Sequence, residues 1–203
     1  KRIPLVDLNY SVTNIFPIPI HQFDIGGFSE IQDELIDYAY KLRIEDPVGS
    51  LISNKGGWQS HTFEIHKEDD ILHNLLKNSL TIFPSIKGDI RMSIGAWVNI
   101  NKPGDYNANH DHPTSNLSGV LWIKTPKNSG KIEFDSPINF QAHSEIYAYN
   151  NDFKNKNNIF HCYYFEPIEG NILVFPSCLR HDVKENLSQE DRISVSFNIR
   201  LQE

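Results

Sequence analysis

The sequence predicts a mainly β fold: a sandwich or barrel whose polar inner face lines a cavity and whose apolar outer face is covered by two helices. Three observations carry this. From Ile90 onward, strand-like runs are separated by turn residues. In three of those runs apolar residues alternate with polar or small ones, which puts the two sets on opposite faces of a sheet. Upstream lie two amphipathic helical segments, each with one apolar stripe that needs a partner.

Taken in order, Asn14 to Ile25 is β-branched and aromatic but holds Pro17 and Pro19, which cannot donate to a ladder, so an edge strand is expected. Ser29, followed by Glu30, Asp33 and Glu34, opens a helix whose Ile31, Leu35, Ile36, Tyr38, Ala39 and Leu42 share a stripe. Gly56-Gly57 marks a turn leading into a short strand through about Ile65. A second helix is expected from about Glu68 to Leu80, ended by Phe83-Pro84.

In Met92 to Asn101, Met92, Ile94, Ala96, Val98 and Ile100 oppose Ser93, Gly95, Trp97, Asn99 and Asn101. In Leu117 to Lys124, Leu117, Leu121 and Ile123 oppose Ser118, Trp122 and Lys124, and in Arg192 to Leu201, Ile193, Val195, Phe197 and Ile199 oppose Arg192, Ser194, Ser196 and Asn198. By that parity Trp97, Asn99, Ser118, Trp122 and Asn198 face the cavity. Lys102 to Asp105 reads as a turn, Phe160 to Phe165 and Asn171 to Phe175 as buried strands, and the asparagine-rich Tyr149 to Asn158 as a mobile loop or hairpin tip. No linker or repeat interrupts the chain. One domain over 1–203 is expected, with the N-terminal strand and supporting helices in 1–88 and the β core in 89–203.

Composition narrows the function. A chain of 203 residues can bury roughly 70% of its unfolded surface without staples. Its net charge of −7 gives no basic face, so no nucleic-acid partner is expected. Cys162 and Cys178 are too few for a disulfide framework and are expected as buried, reduced thiols. No apolar run is long enough to span a membrane and the start lacks a signal-peptide core, so a soluble cytoplasmic protein is expected. A chain opening on Lys1 rather than Met leaves its true beginning open, and a homodimer is equally left open.

The chemistry concentrates in two segments. In Asn109-His110-Asp111-His112-Pro113, strand spacing sends His110 and His112 to one side and Asp111 to the other. Far downstream, His181 follows the apolar run Asn171 to Phe175 and its proline turn, near a strand end. Arg192 comes eleven residues later (192 − 181) and shares a face with Ser194. An arginine inside a barrel needs an anion, no acidic residue is its obvious mate, and a ligand carboxylate matches its fork. His61, His66, His143 and His161 lack a partner pattern and read as structural or surface histidines.

These residues resemble the iron(II)- and 2-oxoglutarate-dependent dioxygenases. The resemblance rests on Trp97-Val98-Asn99-Ile100, Gly104-Asp105-Tyr106, His110-x-His112-Pro113, Ser118-Gly119-Val120, Phe175-Pro176-Ser177 before His181, and Arg192-Ile193-Ser194. It covers about Trp97 to Ile199, with Gly56-Gly57-Trp58 as a weaker upstream echo. The resemblance implies a double-stranded β-helix, a jelly roll of cupin-like form. It also implies Fe(II) on His110, His112 and His181, 2-oxoglutarate on the iron with its far carboxylate on Arg192 and Ser194, and O2 as oxidant. Decarboxylation of 2-oxoglutarate to succinate would then be coupled to hydroxylation of a small-molecule or peptide substrate. Most of that superfamily has a carboxylate where this chain has His112. That departure leaves Asp111 open as the third ligand, and with it the identity of the native metal. Two other readings stand beside this one: a cupin-like three-histidine enzyme that does not use 2-oxoglutarate, and a non-catalytic jelly-roll binding module with a structural zinc.

Overall fold

The computed structural model describes residues 11–64, 72, 74–76, 90–137 and 144–202. Among them are strands β1 (His21–Asp24), β2 (Asn54–Lys55), β3 (Trp58–Gln59), β4 (Phe63–Glu64), β5 (Arg91–Asn101), β6 (Tyr106–His110), β7 (Leu117–Lys124), β8 (Ile132–Asp135), β9 (Cys162–Phe165), β10 (Asn171–Pro176), β11 (His181–Val183) and β12 (Arg192–Gln202). One sheet has the order β1-β10-β7-β12-β5-β3, with β4 also on β5, and the other has the order β2-β6-β11-β8-β9. Every pairing is antiparallel. From β5 to β8 each strand lies in the opposite sheet from the one before, and β9 to β12 alternate in the same way. The chain thus winds as a double-stranded β-helix.

The alternation explains both cores. The outward residues Ala96, Val98, Ile100, Leu121, Ile123, Ile193, Val195, Phe197 and Ile199 are buried together with Leu35 and Ala39 of helix α1 (Gln32–Glu45). Each fully buried Val, Leu, Ile or Phe among them contributes roughly 1.5–3 kcal/mol. A second cluster, Val120, Trp122, Ile132, Phe134, Leu173, Phe175 and Leu179, closes the space between the sheets. Close packing requires Gly119 here, because a Cβ on it would meet Phe197 Cζ at 2.3 Å and Leu173 O at 2.7 Å.

α1 is anchored at both ends. Gln32 Nε2 donates to Ile123 O at 2.8 Å, and Tyr40 Oη donates to Asp191 Oδ2 at 3.0 Å. Of the second expected helix, residues 72 and 74–76 are helical, with Leu72 and Leu76 buried on the same core; the rest of 68–80 lies outside the described residues.

Several expectations shift. The proline-rich 14–20 stays out of the ladder, and only His21–Asp24 pairs, at the sheet edge as expected. Helix α1 begins after a 3-10 turn at Phe28–Glu30, with Ile31 rather than Ser29 at its cap. Asn151–Asn157 is a helix, α2, where a mobile loop was expected: Asn150 caps it by accepting from Phe153 N at 2.8 Å, and Asn158 ends it in the left-handed conformation. Asparagine serves both ends of a short helix well, which a composition-based loop reading overlooks. Strand β9 is largely exposed, and both cysteines are free but exposed, against the expectation of burial. β9 is the edge of the smaller sheet and one of its faces meets solvent.

Candidate metal centre and anion pocket

His110 is the last residue of β6, His181 is the first of β11, and the two are directly opposed in the ladder. Opposed residues hold their Cβ atoms only about 4.5–5.5 Å apart, and here the ring centroids are 4.4 Å apart. His112 lies two residues beyond β6, so strand parity alone does not aim it. Its backbone N–H donates to Ser177 O at 2.9 Å, which ties the turn to the segment leading into β11. The His112 ring then stands 4.9 Å from that of His110 and 5.3 Å from that of His181. One ligand nitrogen from each residue lies within 4.8 Å of the others.

Tautomer and charge are set for coordination. His110 Nδ1–H donates to Ala108 O at 2.7 Å and His181 Nδ1–H to Leu179 O at 2.9 Å, leaving each Nε2 lone pair for an ion. Burial lowers all three pKa values. His181, between the Phe134 and Phe175 rings, falls to about 3, and His112 to about 4 with added repulsion from His110. His110 falls by burial against the opposing pull of its Ala108 bond and Asp111. Neutral imidazole, the metal-binding form, therefore persists through the physiological range. Asp111 stands outside the cluster. Beside the histidines, Arg180 Nε donates to Asn109 Oδ1 and Asn109 Nδ2 to Asp135 Oδ2, both at 2.8 Å, bracing β6 against β8 and the start of β11.

The same cavity is lined by Trp97, Asn99, Trp122, Arg192, Ser194 and Ser196. Arg192 is 2% exposed, and its Nη1 donates to the carbonyls of Ser129, Gly130 and Lys184. Gly130 has a φ of 90°, and a Cβ there would lie 2.1 Å from Lys184 O and 2.7 Å from Arg192 Nη1, so the turn needs glycine. Burial brings the Arg192 pKa down to about 10, with Asp105 opposing, which still leaves it charged. Among the described residues no carboxylate pairs with it, and Nε and Nη2 make no hydrogen bond. Asn99 donates from Nδ2 to Ser196 Oγ at 3.0 Å, while its buried Oδ1 has no partner.

Trp97, Asn99, Trp122, Arg192 and Ser194, which parity put on the inner face, line this cavity together with Ser196, the intervening residue on the same face. Ser118 and Asn198 do not line this cavity. Ser118 Oγ donates to Asn198 Oδ1 at 2.7 Å and lies 2.8 Å from Ser177 Oγ, and Asn198 borders a separate recess. The Asn109–Arg180–Asp135 brace carried no local signal, because its members come from three separate segments. His61 is a surface residue, 3.0 Å from Ser50 Oγ and 3.4 Å from Asp46 Oδ2, as expected. His161 is exposed with its ring 5.3 Å from that of Tyr147, and His66 and His143 lie outside the described residues.

Three neutral nitrogen donors facing one point suit a divalent ion. Among the described residues no fourth histidine, cysteine or carboxylate joins them, so the set is the open kind that leaves positions for exchangeable ligands. An unpaired buried guanidinium and an orphaned amide oxygen in the same cavity suit a polar, carboxylate-bearing molecule. Both features fit iron and 2-oxoglutarate. Among the described residues no helix is long and apolar enough to cross a membrane.

Residues 95–198 match the family model described as "Putative 2OG-Fe(II) oxygenase". The fold is similar to that of a Pseudomonas putida prolyl-4-hydroxylase, with a TM-score of 0.62 at 14% identity, covering 92% of this chain and 94% of that one. It is also similar to a prolyl hydroxylase from Trichoplax adhaerens in complex with a hypoxia-inducible-factor fragment, with a TM-score of 0.59 at 12% identity over 89% and 83% of the two chains. HygX from Streptomyces hygroscopicus, solved with nickel and 2-oxoglutarate bound, gives a TM-score of 0.51 at 10% identity over 90% and 82%. A comparison with curated proteins finds no match.

Proposed function

The chain belongs to the 2OG-Fe(II) oxygenase family, and on that premise we propose that His110, His112 and His181 hold the iron while Arg192 and Ser194 hold the far carboxylate of 2-oxoglutarate. When bound, the iron supplies the O2 chemistry, coupling oxidative decarboxylation of the oxoacid to hydroxylation of a substrate C–H bond. The stoichiometry is balanced: the oxoacid and the C–H bond each give two electrons to O2, one oxygen atom enters succinate and the other the alcohol, and CO2 leaves.

The chain's own residues bind, orient and exclude water. Arg192 fixes one end of the oxoacid, because its Nη1 is held by three carbonyls and its remaining edge is open to a carboxylate. Ala108 O and Leu179 O fix two imidazole tautomers, and Phe134, Phe175 and Trp122 keep bulk water from the His181 side. No side chain has to act as an acid or base. The observation carrying this reading is the direct ladder opposition of His110 and His181 with His112 brought to the same point.

Ferrous iron and 2-oxoglutarate together are expected to raise the melting temperature by more than the sum of their separate effects, since ligands that bind only the folded state stabilise it and each completes the other's site. A shift with iron that 2-oxoglutarate leaves untouched, accompanied by metal-dependent turnover without the oxoacid, would instead indicate a three-histidine enzyme of another kind.

A further inference from the structure

We infer that a second copy of this chain docks on the outer edge of strand β9, which pairs antiparallel with itself about a two-fold axis at Tyr163 and joins the smaller sheets of two copies into one. This goes beyond the oxygenase reading and does not depend on it.

Among the described residues β9 ends the smaller sheet and pairs on one side only, with β8. Ser136 N donates to His161 O at 2.8 Å, which makes these two a hydrogen-bonded pair, and two-residue alternation extends that pairing to Phe134 with Tyr163 and Ile132 with Phe165. The N–H and C=O of Cys162 and Tyr164 therefore point away from β8. Sheets blunt such edges by shortness, charge or proline. The other edges here are blunted: β2, β3 and β4 are two residues long, and β1 contains Asp24 and follows Pro17 and Pro19. By contrast β9 runs for four residues, Cys-Tyr-Tyr-Phe, without a proline or a charge. Its first three residues are exposed, Tyr163 at 47% and Tyr164 at 49%. An open, uncharged, aromatic edge is a template for another strand.

The strand matches itself. Turned about Tyr163, Cys162 of each copy faces Tyr164 of the other, and these are the residues whose main-chain groups point outward, so each such pair can exchange two hydrogen bonds. The two Tyr163 residues then oppose one another in a non-hydrogen-bonded position, where side chains approach most closely. On that face Tyr163 already belongs to a row of rings, 5.1 Å from Phe160 and 5.2 Å from Phe165, with Phe165 in turn 6.0 Å from Phe134. The axis joins two such rows.

Charge is matched in the same way. The net −7 of the chain opposes self-association in general, but β9 contributes none of it and its flanks carry opposite signs. Lys131 Nζ lies 3.3 Å from the Tyr164 ring centroid at one end, and Asp135 pairs with Cys162 at the other. Antiparallel pairing sets the lysine end of each copy against the aspartate end of the other. A strand from another protein could take the main-chain bonds, but this match of ends and rings is a property of β9 with itself. A groove of about 560 Å³ opens beside the edge, with Tyr163 on its wall together with Phe16, 84% exposed, and Tyr149, 40% exposed. A four-residue strand pair alone is smaller than the ~1,200 Å² of a stable interface, and the apolar groove rims supply the rest.

The test is sedimentation velocity of the full chain over a micromolar concentration series, in which the mass is expected to rise to twice the 23.4 kDa of one chain. Tyr164→Pro removes an N–H that faces away from β8, so the sheet loses no bond of its own. It is expected to weaken dimerisation at least about tenfold and to leave the melting temperature of the dilute chain unchanged. Should that variant fail to fold, Tyr163→Cys in a Cys162→Ser, Cys178→Ser background decides the matter. Across the axis its Cα atoms would stand about 4.5 Å apart, within the ~4.4–6.8 Å that a disulfide spans, so mild oxidation is expected to give a covalent dimer. A monomer at every concentration, a dimer that Tyr164→Pro leaves intact, or a Tyr163→Cys chain that stays uncrosslinked overturns the inference, and none of these outcomes bears on the iron site.

Discussion

Arg192→Ala abolishes the thermal response to 2-oxoglutarate and leaves the response to iron. The guanidinium is 2% exposed and forms no ion pair with a carboxylate among the described residues, Asp105 acting on it only at longer range, so most of its fork stays open until a ligand carboxylate arrives. Removing one side of a buried, hydrogen-bonded charge pair costs about 2–5 kcal/mol, so the oxoacid's affinity should fall by roughly 30-fold to several-thousand-fold. The variant also strips the donor from the carbonyls of Ser129, Gly130 and Lys184, and some loss of stability without any ligand is expected. Arg192→Lys separates the two effects: it keeps the charge but loses the fork, and should bind the oxoacid with intermediate affinity. An oxoacid response in Arg192→Ala equal to that of the wild type would refute the anchor.

His112→Ala eliminates iron binding, whereas His112→Asp retains it. Loss of a direct ligand should exceed the ~10–100-fold cost typical of losing a ligand's supporting partner. An aspartate at the same place restores the two-histidine, one-carboxylate set common in non-haem iron oxygenases. Asp111→Asn is the matching control. Asp111 lies outside the cluster and the variant should bind iron as the wild type does; if it fails while His112→Ala binds normally, the third ligand is Asp111.

Much of the fold was legible because the chain keeps strict two-residue alternation in its central strands. In β5 and β12 the apolar set is the outer core and the polar set the cavity wall, and the pairing register joins them residue for residue. His110 and His181 could be nominated by spacing and Arg192 with Ser194 by shared parity, but parity does not explain His112. It lies past the end of β6, and its aim depends on a main-chain bond to Ser177, sixty-five residues away (177 − 112). The same limit hid the Asn109–Arg180–Asp135 brace. Ser118 was misplaced for a different reason: it satisfies the parity rule, but its hydroxyl is engaged by Asn198 and Ser177. The exposed cysteines and the helix at Asn151–Asn157 depend on which faces and ends the tertiary structure leaves open, and composition does not record that.

A crystal of the protein grown with ferrous iron and 2-oxoglutarate under anaerobic conditions, with anomalous scattering measured at the iron edge, probes the central claim most directly. A single anomalous peak should lie within bonding distance of Nε2 of both His110 and His181 and of a His112 ring nitrogen, with oxoacid density running from it to the open edge of Arg192. A peak elsewhere, or an oxoacid whose far carboxylate avoids Arg192, would contradict the account.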